Sequence, residues 1–210
     1  MKTAKIILAL TLALVLLCGC GNSSAAVLEE LAGQWTMTVP APEEDAVYLM
    51  DMMDLYTEER AFVDQSGMSF VLHANFGTDG SYSFVYDAEA SKAYVRAFYE
   101  GAMDALYENR AQLTALYGEE VVEMTREEFD QFYADMYGVE SYQLFMDALV
   151  NDAYDYDVLG EPLEEGTFKI VGSNLMCTVD GETSSIGFQL DGDTLTLTYI
   201  DGTEVYSRVK

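Results

Sequence analysis

The chain has 210 residues, of which 37 are Asp or Glu and only 10 are Lys or Arg, so its formal net charge at neutral pH is −27. This charge argues against nucleic acid as a partner, because binding to a phosphate backbone needs clustered Lys and Arg side chains. Half of the residues are apolar and 12% are aromatic, so the chain can form a core and is not predicted to be disordered. Its length fits one sizeable domain.

The first twenty residues have the pattern of an export signal. A basic start precedes an apolar run over residues 6–17. The first twenty residues then end in Leu17-Cys18-Gly19-Cys20. The run is too short to span a bilayer permanently, and the pattern is typical of a secretory signal peptide. Leu-x-Gly-Cys resembles the lipobox of bacterial lipoproteins. The resemblance implies cleavage after residue 19 and attachment of a lipid such as palmitate to Cys20; the alternative is an ordinary signal peptide cut near Ala25 or Ala26.

These features predict how the chain is organised and where it is located. We expect a signal peptide at residues 1–19, a lipidated tether at residues 20–30 and a single domain at residues 31–210. The membrane would be a partner through the lipid on Cys20, and the protein would be extracytoplasmic and anchored to the cell membrane. Cys177 alternates with apolar neighbours in a strand-like run, so we predict that it is a small core residue.

The first half of the domain predicts three strands. Residues 32–39 alternate apolar and polar side chains and stop at a proline. A helix follows from Glu43, where acidic residues favour a helix N-terminus. Residues 68–76 and 81–86 then form a hairpin across a glycine-containing turn. The only histidine, His73, falls on the polar face of the first of these two strands.

A helical insert is predicted over residues 87–165, where the apolar period changes from two to about 3.6. Its first helix ends near Gly118, and its second begins at a capping box formed by Thr125 and Glu128. The inward face of the second helix is predicted to carry Phe129, Phe132, Tyr133 and Met136. A third helix covers residues 140–152.

The last part of the domain predicts five short strands joined by tight turns. They cover residues 167–171, 174–179, 184–190, 193–199 and 203–209. Asp-Gly pairs at three of the four junctions are typical of hairpin turns. With the three earlier strands, the total is eight, a number whose closed barrel holds side chains or one small ligand. The predicted fold is therefore mainly β: an eight-stranded antiparallel barrel with a helical insert between strands 3 and 4.

Two stretches resemble lipocalin-like proteins. Gly33-Gln34-Trp35 resembles the Gly-x-Trp of a lipocalin first strand, and the Asp-Gly hairpins that end at Arg208 resemble the last hairpins of lipocalin-like domains in lipoproteins of Firmicutes type. The resemblance implies a lipocalin-like barrel whose floor is closed by Arg208 stacked on Trp35, a cation–π contact. It also implies a small apolar or amphipathic ligand.

No catalytic, metal or cofactor site is predicted. The acidic run around Asp155 has Gly160 where a calcium loop needs glycine, but Gly166 falls where the loop needs a bidentate Glu, so a solvated acidic face fits better. A single histidine does not supply the usual zinc site or Ser-His-Asp relay, and no phosphate-binding loop occurs. The sequence therefore indicates no enzyme, although a pair of carboxylates in a cleft would revive a hydrolase.

The predicted function is that of a binding module in the cell envelope. The apolar faces of the inserted helices are candidates for a lid over a ligand pocket in the barrel mouth. The residues chosen for this pocket are Phe98, Met103, Phe129 and Tyr142. The alternative is a protein-interaction or inhibitory module, in which side chains fill the barrel and the helical insert is the contact surface.

Overall fold

The computed structural model describes residues 24–116 and 123–210. The predicted signal peptide, Cys20 and the helix end near Gly118 lie outside these residues. The strands are β1 (Gly33–Pro40), β2 (Ser69–Phe76), β3 (Ser81–Tyr86), β4 (Pro162–Val171), β5 (Asn174–Val179), β6 (Glu182–Asp191), β7 (Thr194–Thr198) and β8 (Thr203–Arg208). The helices are α1 (Ser24–Leu31), α2 (Glu43–Met52), α3 (Thr57–Arg60), α4 (Ala88–Leu116), α5 (Arg126–Met136), α6 (Tyr142–Ala153) and α7 (Tyr156–Leu159).

The strands form a closed antiparallel barrel in the order of the chain, β1 to β8. The backbone N–H of Val209 donates to the carbonyl of Gln34 at 2.9 Å, which joins the last strand to the first. Among the described residues, the helices α4 to α7 lie between β3 and β4 in the chain. The predicted fold class, a mainly β barrel with a helical insert at this point, is confirmed.

The described residues divide into two compact units. The strand unit contains residues 24–34, 75–82 and 166–210, and the helical unit contains residues 35–74, 83–116 and 123–165. Strands β1 to β4 contribute residues to both.

In the strand unit, the predicted period of two decides which side chains are buried. Along β7, Leu195 and Leu197 are completely buried, while Thr194 and Thr198 are exposed. Adjacent strands keep this register, since Leu195 lies opposite Tyr206, which is also completely buried. Buried aliphatic and aromatic side chains of this kind drive folding by about 25 cal/mol per Å² removed from water.

Three aromatic rings pack together at another part of the strand unit. The ring centroid of Phe76 is 5.4 Å from that of Phe168, and the Tyr82 centroid is 6.5 Å from both of them. Cys177 is buried, in register with buried Leu175, as the alternation predicted. Along β5, β7 and β8, buried side chains alternate with more exposed ones, as the period of two predicted.

Helix α1 was not predicted, since residues 20–30 were expected to form a tether. Residues 24–31 are helical, and Leu31 at the end of the helix is completely buried. The Arg208 guanidinium donates to the carbonyl of Ala32 at 3.0 Å and to that of Glu30. A cation that binds the last carbonyls of a helix satisfies acceptors that have no partner within the helix. The end of α1 is therefore joined to β8 through Arg208.

Gly33 follows α1 in a conformation that side chains disfavour. Its φ is +124°, and an added Cβ would lie 3.2 Å from Nη1 of Arg208. The first residue of the Gly-x-Trp motif is therefore glycine for two physical reasons, the backbone angle and the approach of the guanidinium. Trp35, the third residue, is completely buried.

The helical unit has its own hydrophobic core, made mainly by α2, α4, α5 and α6. Its fully buried members include Leu49, Met103, Phe145 and Met146. The predicted capping box is confirmed, because Thr125 N donates to Glu128 Oε2 at 2.8 Å and Glu128 N donates to Thr125 Oγ1 at 3.3 Å. Within the described residues, no helix is long and apolar enough to cross a membrane.

The strand β4 begins earlier than predicted. It starts at Pro162 and includes Glu164 and Glu165, which the sequence placed in the insert. These acidic residues have low β propensity, but strand pairing in a folded sheet outweighs intrinsic preference. Their side chains are exposed, in keeping with a solvated acidic face.

Candidate functional site

The helical unit contains an open groove of about 600 Å³. It is lined by Met53, Asp54, Leu55, Tyr56, Glu59, Phe132, Tyr133, Met136 and Tyr137. We call it the α2–α5 groove, because one wall follows the end of α2 and the other is a face of α5. Its volume is in the range of small-molecule sites, roughly 300–1,000 Å³.

The first wall begins where α2 ends in a Schellman motif. Leu55 N donates to the carbonyl of Met50 at 3.1 Å, and Asp54 N donates to that of Asp51 at 3.0 Å. Asp54 takes the left-handed position of this motif, with φ of 54°, where glycine is the usual residue. Aspartate is one of the few residues with a side chain that take this conformation readily. The position places a carboxylate in the groove lining.

Helix α3 continues the same wall. Glu59 Oε2 accepts a hydrogen bond from Tyr56 N at 2.7 Å, which fixes the first turn of the helix. Arg60 is fixed at this turn, since its Nε donates to the Leu55 carbonyl at 2.8 Å and its Nη2 pairs with Asp51. Arg60 itself is not among the lining residues.

The second wall is formed by α5 and the residue that follows it. Phe132 and Met136 are 52% and 56% exposed, although the sequence placed both on the inward face. That expectation is wrong for these two residues, because only the other edge of the stripe, with Phe129, contacts the core. Across the groove, Tyr56 is 67% exposed. Large apolar side chains exposed close together mark interaction sites in soluble proteins.

Tyr137 connects the two walls. Its hydroxyl donates to the carbonyl of Met52 at the end of α2, at 3.1 Å. Its ring also packs on the core residue Phe145, with 4.7 Å between centroids. Burial raises the pKa of the Tyr137 hydroxyl, and the nearby negative charge of Asp54 raises it further. The hydroxyl therefore stays protonated and keeps this bond well above neutral pH.

The lining of the groove is apolar with a negative charge at one wall. Seven of its nine residues are aromatic or aliphatic, two are carboxylic acids, Asp54 and Glu59, and none is basic. Such a site can hold the apolar body of an amphipathic molecule by burial of its surface.

A second, smaller cavity lies elsewhere in the helical unit. Its volume is about 270 Å³, and Phe62, Asp64, Gly67, Ala97, Phe98, Gly101 and Ala105 line it. This volume is near the lower limit for small-molecule sites, so the α2–α5 groove is the stronger candidate.

The predicted pocket residues are not brought together in the α2–α5 groove. Phe98 lines the smaller cavity, and Met103 is completely buried in the core of the helical unit. Phe129 packs against Tyr133, with 5.0 Å between their ring centroids. The ring of Tyr142 lies 5.9 Å from the guanidinium carbon of Arg126. All four contribute to or pack against the helical core, and a ligand pocket formed by them stays a prediction.

The other sequence candidates have structural roles. Asp155 accepts a hydrogen bond from Val158 N at 3.2 Å and so caps α7. His73 lies on the less buried face of β2, as predicted, and contacts Asp87. In the part of the chain that the structure describes, no three His, Cys, Asp or Glu side chains are placed to share a metal ion. The predicted stacking of Arg208 on Trp35 stays a prediction.

The sequence did not identify the groove. Its lining comes from residues 53–59 and 132–137, two segments far apart in the chain, and only tertiary packing brings them together. Asp54 at the end of an apolar helical stripe was the one local signal, since glycine or asparagine is usual there.

The chain was compared with known proteins in three ways. Neither the scan against protein-family models nor the searches of curated proteins and of solved structures found a significant match.

Proposed function

We propose that this protein is an extracytoplasmic, lipid-anchored binding module with a lipocalin-like barrel, and that the α2–α5 groove holds the apolar part of a small amphipathic ligand. The anchor rests on the lipobox-like sequence that ends in Cys20. The groove of about 600 Å³ with exposed aromatic walls is the observation that carries the binding function.

Burial in the strand unit favours a ligand site in the helical unit. The large side chains of Leu175, Leu195, Leu197 and Tyr206 are completely buried. They therefore offer no free surface to a ligand. The groove, by contrast, exposes Phe132 and Met136 on its own wall.

Methionine methyl resonances test this function. We expect ¹³C-methyl spectra of the protein to change at Met53 and Met136 when decyl maltoside is added below its micellar concentration. Met103 is completely buried away from the groove lining, so its resonance is the internal control and stays in place. Equal shifts at all three methyls, or none, would contradict the proposal.

A pair of alanine variants distinguishes binding in the groove from nonspecific binding to exposed apolar side chains. Phe132→Ala removes a wall of the groove, whereas Leu144→Ala removes a side chain of similar exposure, 48% against 52%, outside its lining. We expect Phe132→Ala to weaken decyl maltoside binding at least about fivefold, because about 1 kcal/mol or more of apolar contact is lost. Leu144→Ala should leave the affinity unchanged. The same loss in both variants would show that the groove is not the site.

A further inference from the structure

We infer that the α2–α5 groove selects amphiphiles with a positively charged head group, the quaternary ammonium class being the best match. This inference rests on the proposed function and specifies its ligand. Two features of the groove carry it: the charge of its lining and the aromatic character of its walls.

The charge of the lining is negative only. Asp54 and Glu59 line the groove, and no basic residue does. Arg60, which follows Glu59 in the chain, is engaged by Asp51 and by the Leu55 carbonyl. An anionic head group would meet the two carboxylates of the lining, whereas a cationic head group would be attracted to them.

Asp54 has a close counterpart outside the groove. Of the described non-glycine residues, only Asp54 and Asp180 have positive φ, 54° and 49°. Asp180 precedes Gly181 in the tight turn from β5 to β6, whereas Asp54 is a lining residue of the groove. The two carboxylates therefore form a matched pair, one at the proposed site and one outside its lining.

The aromatic walls suit an organic cation better than a metal ion. Tyr56, Tyr133, Tyr137 and Phe132 line the same groove as the two carboxylates. The faces of such rings attract alkylammonium groups, and aromatic cages with acidic neighbours are a recognised way to bind them. Phe132 and Met136 would then contact the alkyl chain.

Three amphiphiles with the same alkyl chain test the inference: decyltrimethylammonium, decyl maltoside and decyl sulfate, measured by calorimetry at low ionic strength. We expect decyltrimethylammonium to bind with a Kd about tenfold lower than that of decyl maltoside. Decyl sulfate should bind most weakly. If all three bind equally, the inference is overturned while the proposed function stands, and if none binds in the groove, both fail.

Two matched variants exclude a general effect of the chain's net charge. Asp54→Asn and Asp180→Asn each remove one negative charge at a left-handed backbone position that asparagine tolerates. We expect Asp54→Asn to raise the Kd of decyltrimethylammonium about three- to fivefold relative to the Kd of decyl maltoside for the same variant. Asp180→Asn should change neither. An equal effect of both variants on the cation would show that the net charge of the chain, not the groove, attracts it, and would overturn the inference.

Discussion

His73 Nε2 lies 3.0 Å from Asp87 Oδ2, where strand β2 meets the start of the long helix α4. The other oxygen of the same carboxylate accepts a hydrogen bond from Ala90 N at 2.9 Å, so Asp87 also caps the helix. The hydrogen bond from Ala90 is the largest cause that lowers the pKa of Asp87, and His73 lowers it further. One side chain thus fixes the point at which the chain leaves the strands and enters the helical insert.

Replacing Asp87 should destabilise the protein. We expect Asp87→Ala to lose about 1–2 kcal/mol of unfolding free energy, because α4 loses its cap. Asp87→Asn keeps a capping oxygen and should lose less. Urea unfolding followed by circular dichroism at neutral pH measures both, and equal stability of Asp87→Ala and the wild type would contradict the capping role.

The same residue predicts the response to acid. Because the pKa of Asp87 is lower in the folded state than its ordinary value of 3.8, its contribution to stability is present above about pH 4 and is lost as the pH falls through the folded pKa. The unfolding free energy of the wild type should therefore fall more between pH 4 and acidic conditions than that of Asp87→Asn. Parallel curves for the two proteins would contradict the prediction.

Removal of the Tyr99 hydroxyl should increase the stability of the protein. It is buried and has no hydrogen-bond partner among the described residues. Tyr99→Phe removes an unsatisfied polar group, so we expect the unfolding free energy to rise by about 1 kcal/mol. Tyr156→Phe is the control, since the Tyr156 hydroxyl donates to the Val150 carbonyl at 2.8 Å and its loss should destabilise. Destabilisation by Tyr99→Phe would contradict the prediction.

Buried tyrosines also predict a loss of stability in alkali. Burial raises the pKa of Tyr99 above its ordinary value of 10.0 and raises that of Tyr156 to about 12. The unfolded chain therefore ionises first, and the stability that is present below about pH 10 is lost as the pH rises towards the folded values. Urea titrations between pH 9 and 11 should show this loss, and it should be smaller in Tyr99→Phe. An unfolding free energy that does not change between pH 9 and 11 would contradict the prediction.

Two glycines should respond to alanine in opposite directions. Gly33→Ala forces a side chain onto a φ of +124° next to Nη1 of Arg208, and should cost about 1–3 kcal/mol. Gly101→Ala lies in helix α4, where an added Cβ meets nothing within 4 Å, and should stabilise by about 0.5–1 kcal/mol. Thermal unfolding of both variants tests the pair. If Gly33→Ala were as stable as the wild type, the backbone angle and the approach of Arg208 would not explain the glycine of the Gly-x-Trp motif.

Most of the barrel could be predicted because its signals are local. Alternation along β7 and the Asp-Gly turns specify strands and their ends within a few residues. The Thr125 capping box likewise marked the start of α5. Helix α1 was missed, since its first turn has no acidic residue; its end is marked by the burial of Leu31 and by the contacts with Arg208, which are tertiary features.

The groove could not be predicted because its walls meet only in the folded protein. A helical stripe of apolar residues shows which face of α5 avoids water, but not how far the neighbouring elements cover that face. Phe129 and Phe132 have the same character in the sequence, yet one is buried and the other is 52% exposed. The difference depends on tertiary packing, since Phe129 packs on the ring of Tyr107 in α4, with 5.4 Å between ring centroids.

The most direct test of the account is a crystal structure of the protein with decyltrimethylammonium. We predict an alkyl chain along Phe132 and Met136, with the ammonium group beside the carboxylate of Asp54. Ligand density inside the barrel, or around Phe98 and Met103 with an empty α2–α5 groove, would contradict the account.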